Sequence, residues 1–132
     1  MRNWMENGLA CMWISLLVGL LSCAERPALD FDSIERIMPQ QPDSALLRLD
    51  TAHVDPLRLS DADRVHYYLL LTEALDKCYQ TPRSDSLISA AIHYYKGKHD
   101  PNRLAKAWYY KGRILQDQNM PLQAQDAYLE AS

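Results

Sequence analysis

The chain has 132 residues and a mass of 15.2 kDa, room for one domain or at most two. Its 14 Lys and Arg against 17 Asp and Glu leave a net charge of -3, which argues against a general nucleic-acid binder. Hydrophobic residues at 48% and charged residues at 23% exclude disorder and collagen, and only four glycines disfavour a turn-rich β fold.

The first element is apolar. No charged residue occurs from Asn7 to Ala24, and the densest apolar run is Leu9 to Leu21. As a helix that run spans about 20 Å, short of the ~30 Å bilayer core. Its length suits the h-region of a signal peptide, with Arg2 as a weak basic n-region offset by Glu6. The run ends in Leu20-Leu21-Ser22-Cys23, which resembles the lipobox of bacterial lipoproteins. The resemblance implies cleavage after Ser22, a thioether-linked diacylglyceryl group on Cys23, and acylation of its freed amine. Acyl chains anchor stably because each buried CH₂ contributes about 0.8 kcal/mol. An ordinary cleaved signal, or an uncleaved anchor with Cys23 incidental, remains the alternative. On the lipoprotein reading residues 1–22 are the signal peptide and 23–30 a lipidated tether. Cys11 then leaves with the signal and Cys23 is lipidated. Cys78 alone remains, so the mature chain has no internal disulfide.

The rest reads as helices joined by polar turns. A short helix over 32–38 carries Ile34, Ile37 and Met38 as a stripe and stops at Pro39. A second begins at Pro42-Asp43-Ser44 and fades near Ala52. Ser60 to Asp63 cap a long helix over 61–78, with Tyr68, Leu71, Thr72 and Leu75 on one face. A break containing Pro82 precedes a helix over 85–96, with Leu87, Ala90, Ala91, Tyr94 and Tyr95 inward. Further helices are expected over 103–118 and 122–131, separated by Asn119-Met120-Pro121. No segment sustains a period of two, so no sheet is expected.

Residues 105–131 resemble a tetratricopeptide repeat (TPR). Trp108, Gly112, Leu115, Ala124, Tyr128 and Ala131 stand at that family's signature spacing. Small residues at Gly112 and Ala124 let two helices approach, and Trp108, Leu115 and Tyr128 fill the space around them. Asn119 stands where the family often has Gly, and Asn tolerates the αL conformation. Lys111 departs from the family's Leu. Upstream, Ala90 and Tyr94 lie 34 residues before Ala124 and Tyr128, while Tyr68 and Thr72 lie 40 before Trp108 and Gly112. The mismatch places a six-residue insertion around residues 79–83. The expected architecture is therefore all-α: antiparallel helix hairpins stacked as a TPR-like α-solenoid behind a signal peptide. Its parts are a short TPR-like pair over 31–60, a degenerate repeat over about 61–98 and a clearer repeat over 105–132. Ser132 falls inside the last turn of that repeat, with no polar capping helix after it. That leads to the expectation of an N-terminal fragment of a longer protein, a self-capping dimer being the alternative.

No catalytic constellation is evident. His53, His66, His93 and His99 form no HExxH or HxxxH pair, and there is no GxSxG, P-loop or GxGxxG. Asp61 and Asp63 at a helix start read as dipole caps. The expectation is a non-enzymatic chain without cofactor or metal. In the family the first helix of each repeat lines a binding groove. The matching positions are Lys106, Tyr109, Arg113 and Gln116, whose steps of 3, 4 and 3 share one face. Upstream they are His66, Leu69, Glu73 and Asp76. One strip is basic and the other acidic, so a protein or peptide of matching charge is the expected partner. A solvated charged face is the plainer reading of any one of these residues. The implied function is a protein-binding scaffold held at the bacterial cell envelope by a lipid, facing the periplasm or cell surface, with no direct nucleic-acid contact. The alternative is the extracytoplasmic sensor part of a longer membrane-anchored regulator.

Overall fold

The computed structural model describes residues 29–132. The signal peptide, Cys23 and most of the tether lie outside the described residues. Six helices follow in order: α1 (Phe31–Ile37), α2 (Pro42–Thr51), α3 (Asp61–Lys77), α4 (Ser86–Lys98), α5 (Pro101–Asp117) and α6 (Pro121–Glu130). A 3-10 turn, Pro56–Arg58, leads into α3. No strand occurs among the described residues, so the fold class is all-α.

Local chemistry sets the helix starts. The Asp30 carboxylate accepts from the Ser33 amide at 3.1 Å, and Asp100 accepts from the Arg103 amide at 3.0 Å. Ser60 accepts from the Asp63 amide at 3.1 Å while its hydroxyl donates to the Asp63 carboxylate at 2.7 Å. Each bond satisfies one of the amides that a helix N-terminus leaves open. Pro42, Pro101 and Pro121 each occupy the first helical position. There the missing N–H costs nothing and the fixed φ is already helical. The helices α5 and α6 therefore start two residues and one residue before the sequence-based bounds, and α4 starts one residue after its own.

The helix ends carry a sign of repetition. α3 and α5 each run 17 residues. After α3, the Gln80 amide reaches back to the Leu75 carbonyl at 2.8 Å and the Tyr79 amide to Asp76 at 3.0 Å. After α5, the Met120 amide reaches Leu115 at 2.9 Å and the Asn119 amide reaches Gln116 at 3.0 Å. Both are Schellman endings, with Tyr79 at φ 57° and Asn119 at φ 60° in the left-handed region. Every partner in one ending stands 40 residues from its counterpart in the other.

Each helix packs on the next in sequence, and α1 and α5 also touch α3. The core is three clusters in series rather than one centre. Ile34, Met38, Ala45, Leu49, Leu70 and Ala74 join α1, α2 and α3. Leu69, Ile88, Ala91, Tyr95, Tyr110 and Ile114 are among those joining α3, α4 and α5. Leu115, Ala124 and Ala127 join α5 to α6, with Trp108 and Tyr128 against them. Gly112 makes that last approach possible: a Cβ there would lie 2.4 Å from Cε1 of Tyr128.

Two inward faces differ from the sequence reading. On α4 the buried residues are Ile88, Ala91, Ile92 and Tyr95, while Ala90 is exposed and Tyr94 half-buried. The buried pair Ala91 and Tyr95 stands 33 residues before Ala124 and Tyr128, and the pair Ala90 and Tyr94 stands 34 before them. On α3, Thr72 is buried, but Tyr68, Leu71 and Leu75 are half-buried, and Val65, Leu69, Leu70 and Ala74 form more of the core. The reason is that α3 is clasped by helices on two sides, which no single stripe describes.

Candidate functional site

The four expected groove residues share one side of α5; Lys106 and Arg113 reach α3, while Tyr109 and Gln116 meet Tyr128 of α6. The Lys106 ammonium pairs with the Glu73 carboxylate at 2.5 Å. Arg113 donates through Nε to Oδ1 of Asp76 at 2.8 Å. That bond holds the Arg113 pKa above its ordinary value, against the opposing effect of burial. The basic strip of α5 and the acidic strip of α3 therefore neutralise one another within the chain. Of the other upstream positions, Leu69 is fully buried in the core. His66 Nε2 lies 3.1 Å from the Glu35 carboxylate on α1, and its ring packs at 4.7 Å on Phe31. Arg103 approaches the other Glu35 oxygen at 4.0 Å, so α1, α3 and α5 meet through one charged cluster.

Tyr109 and Gln116 complete the strip. Tyr109 is half exposed, edge-on to Tyr110 at 5.1 Å and tilted against Tyr128 at 5.9 Å. Gln116 is exposed and accepts from the Tyr128 hydroxyl at 2.9 Å. Tyr110 is buried, and burial followed by the Glu73 charge raises its pKa strongly. In the Tyr94–Tyr95 and Tyr109–Tyr110 pairs the second ring is buried and the first lies a helical step outside it. Tyr67 and Tyr68 are both half-buried.

Between the C-terminal halves of α3 and α5 lies a cleft of about 400 Å³, bordered by Asp76, Tyr110, Arg113 and Asp117 and by the loop after α3. The loop is tied to α5. Thr81 donates to Asp117 at 2.7 Å, and the Gln118 amide donates to the Arg83 carbonyl at 3.4 Å. Tyr79 stands at the cleft edge, 96% exposed. The loop after α3 thus forms one wall of the cleft. The sequence marked a break there but held no sign that Thr81 and Arg83 would bind α5.

The remaining expected positions are packing contacts. Trp108 is half-buried between two core clusters, with the Lys111 ammonium 5.5 Å above its ring. Ala131 caps the end of α6. Cys78 sits just past α3, its thiol 3.3 Å from the Asp43 carboxylate. Burial first, then Asp43, raises its pKa and makes it a poorer nucleophile. Among the described residues no group of three His, Cys, Asp or Glu side chains is placed to hold a metal ion. No described helix is long and apolar enough to cross a membrane. What the cleft offers chemically is hydrogen bonding and shape: the outer nitrogens of Arg113, the Thr81 hydroxyl oxygen as an acceptor and the Tyr79 ring.

Set against family models, curated proteins and solved structures, the chain matches none.

Proposed function

We propose that this chain is a non-enzymatic, TPR-like scaffold of the bacterial cell envelope, anchored through a lipid on Cys23. Its partner is a protein or peptide, engaged through the cleft between α3 and α5. The observation that most supports it is internal. Two helices of equal length, 40 residues apart, end in the same hydrogen-bonded motif and pack through successive hairpins. A unit repeated in this way presents the same face more than once, as stacked helical repeats do. The Ser22-Cys23 junction after the apolar run supports the anchor. On this reading the neutralised strips fix the spacing of α3 and α5. Selectivity then comes from Tyr79, Thr81 and the free edge of Arg113, which line the cleft, more than from net charge.

The anchor is tested by the mass of the native protein from membranes, with fragmentation of its N-terminal peptide. The reading expects that peptide to begin at Cys23 and to carry a diacylglyceryl group. A peptide beginning at an unmodified Met1 contradicts the lipid anchor and favours the membrane-anchored sensor instead.

A further inference from the structure

A second groove lies on the other side of α5. Trp108, Leu115 and Gln118 are about half a helical turn from Lys106, Tyr109 and Arg113. With Met120 and one flank of α6 they enclose about 690 Å³ of open space. The floor is apolar: Trp108 and Leu115 below, Met120 at one end and Leu129 on the α6 side. Met120 is 39% exposed and Leu129 67% exposed, apolar surface that the described residues leave uncovered.

The rim is acidic and unpaired. Asp126 and Glu130 stand four residues apart on the α6 flank of the groove. Like charges at that spacing weaken a helix rather than support it. Neither carboxylate has an ion-pair partner among the described residues. The nearest cation of the groove is already taken, since Lys111 pairs with Asp85 at 3.3 Å and donates to Ser89 at 3.1 Å.

We propose that this groove docks a basic amphipathic helix. Its apolar stripe would cover Trp108, Leu115, Met120 and Leu129, and its Lys or Arg side chains would sit over Asp126 and Glu130. An apolar trough flanked by one sign of charge is what helix-in-groove recognition requires. The span from Gln123 to Glu130 is about 11 Å, matched by two to three turns of a partner helix. The groove faces away from the cleft between α3 and α5, so the proposal stands whether or not that cleft binds a partner.

The test uses the full chain in zwitterionic detergent and a synthetic 14-residue helical peptide. The peptide carries Leu along one face, Lys along the other and a benzophenone in place of one Leu. A second peptide has Glu for every Lys. Benzophenone inserts readily into methionine, so Met120 is the reporter, and the adduct is located by fragmentation. The Lys peptide should label Met120 about tenfold more than the Glu peptide. Asp126→Lys with Glu130→Lys should reverse that preference, with circular dichroism unchanged because both residues are exposed. Leu57→Glu, at an exposed leucine outside the groove, should leave labelling as it is. Equal labelling by both peptides would overturn the proposal, as would a preference that survives the double charge reversal. So would a stable dimer that Leu129→Glu dissociates, because the occupant would then be a second copy of this chain.

Discussion

Gly112→Ala sets two effects of opposite sign against each other. In an exposed helix interior the change stabilises by about 1 kcal/mol, because Ala is the better helix former. Here the new methyl would lie 2.4 Å from Cε1, 2.6 Å from Cδ1 and 2.9 Å from Cζ of Tyr128. Three atoms of one ring are too close for a small adjustment, so the ring must swing out. That forfeits the Tyr128–Gln116 hydrogen bond and the packing on Tyr109. Overpacking of this kind costs about 1–3 kcal/mol, and an exposed hydrogen bond about 0.5–1.5 kcal/mol. After the propensity gain, the expected net loss is about 1–2 kcal/mol. Equilibrium urea unfolding measures it as a lower midpoint at unchanged slope. A double-mutant cycle then tests the cause. With Tyr128→Ala already present the clash is gone, and Gly112→Ala should stabilise by about 0.5–1 kcal/mol. If Gly112→Ala alone raised the midpoint, the close approach of α5 and α6 would be wrong.

Four other outcomes follow from the same structure. Trp108→Ala should cost about 2–3 kcal/mol, below the ~3–5 kcal/mol of a fully buried aromatic, because one side of the ring is open; thermal melting by circular dichroism reads it. Arg113→Glu should destabilise by about 1–2 kcal/mol, since it breaks a charge-assisted bond and sets two carboxylates together, and Asp76→Arg in the same chain should restore part of the loss. Tyr95→Phe should be neutral or stabilising by up to about 1 kcal/mol, because the Tyr95 hydroxyl is buried with no partner. Burial pushes the Tyr95 pKa up to about 12. The folded chain then keeps a proton that the unfolded chain loses near pH 10, so stability should fall as pH rises from about 10 to 12. Tyr95→Phe should flatten that part of the stability–pH curve, and an equally steep fall in the variant would contradict the assignment.

The helices were legible because their start and stop signals are local. Ser60 caps α3 within three residues, and Pro39 and Pro121 punctuate the chain, whereas the Asp100 cap and the Pro101 start of α5 fell in a stretch read as a turn. The αL conformation at Asn119 was also readable, since few side chains tolerate it. Tyr79 in the same conformation was not, because an aromatic residue gives no such signal. The inward face of α4 was read in part: Ala91 and Tyr95 are buried as expected, while Ile88 and Ile92 take the places given to Leu87, Ala90 and Tyr94. Leu87, Ala90 and Tyr94 make as good a stripe as Ile88, Ala91 and Tyr95, and only packing against α3 and α5 chooses between them. The strips of the candidate groove were identified as acidic and basic, but their mutual pairing depends on α3 and α5 lying side by side. The wall built by Thr81 and Arg83 and the acid-rimmed groove at Met120 arise from contacts distant in sequence, where no local pattern reports them.

The scaffold reading is tested most directly by photo-cross-linking from its own candidate face. A photoreactive phenylalanine analogue replaces Tyr109, which is half exposed one helical turn before the cleft residue Arg113, in the full chain expressed in cells. A second chain carries it at Leu57, which is 82% exposed and outside the cleft. The reading predicts one discrete heavier adduct from position 109, absent from position 57 and lost when Arg113→Glu is added. No adduct at 109, or the same adducts from both positions, would contradict a partner-binding cleft between α3 and α5.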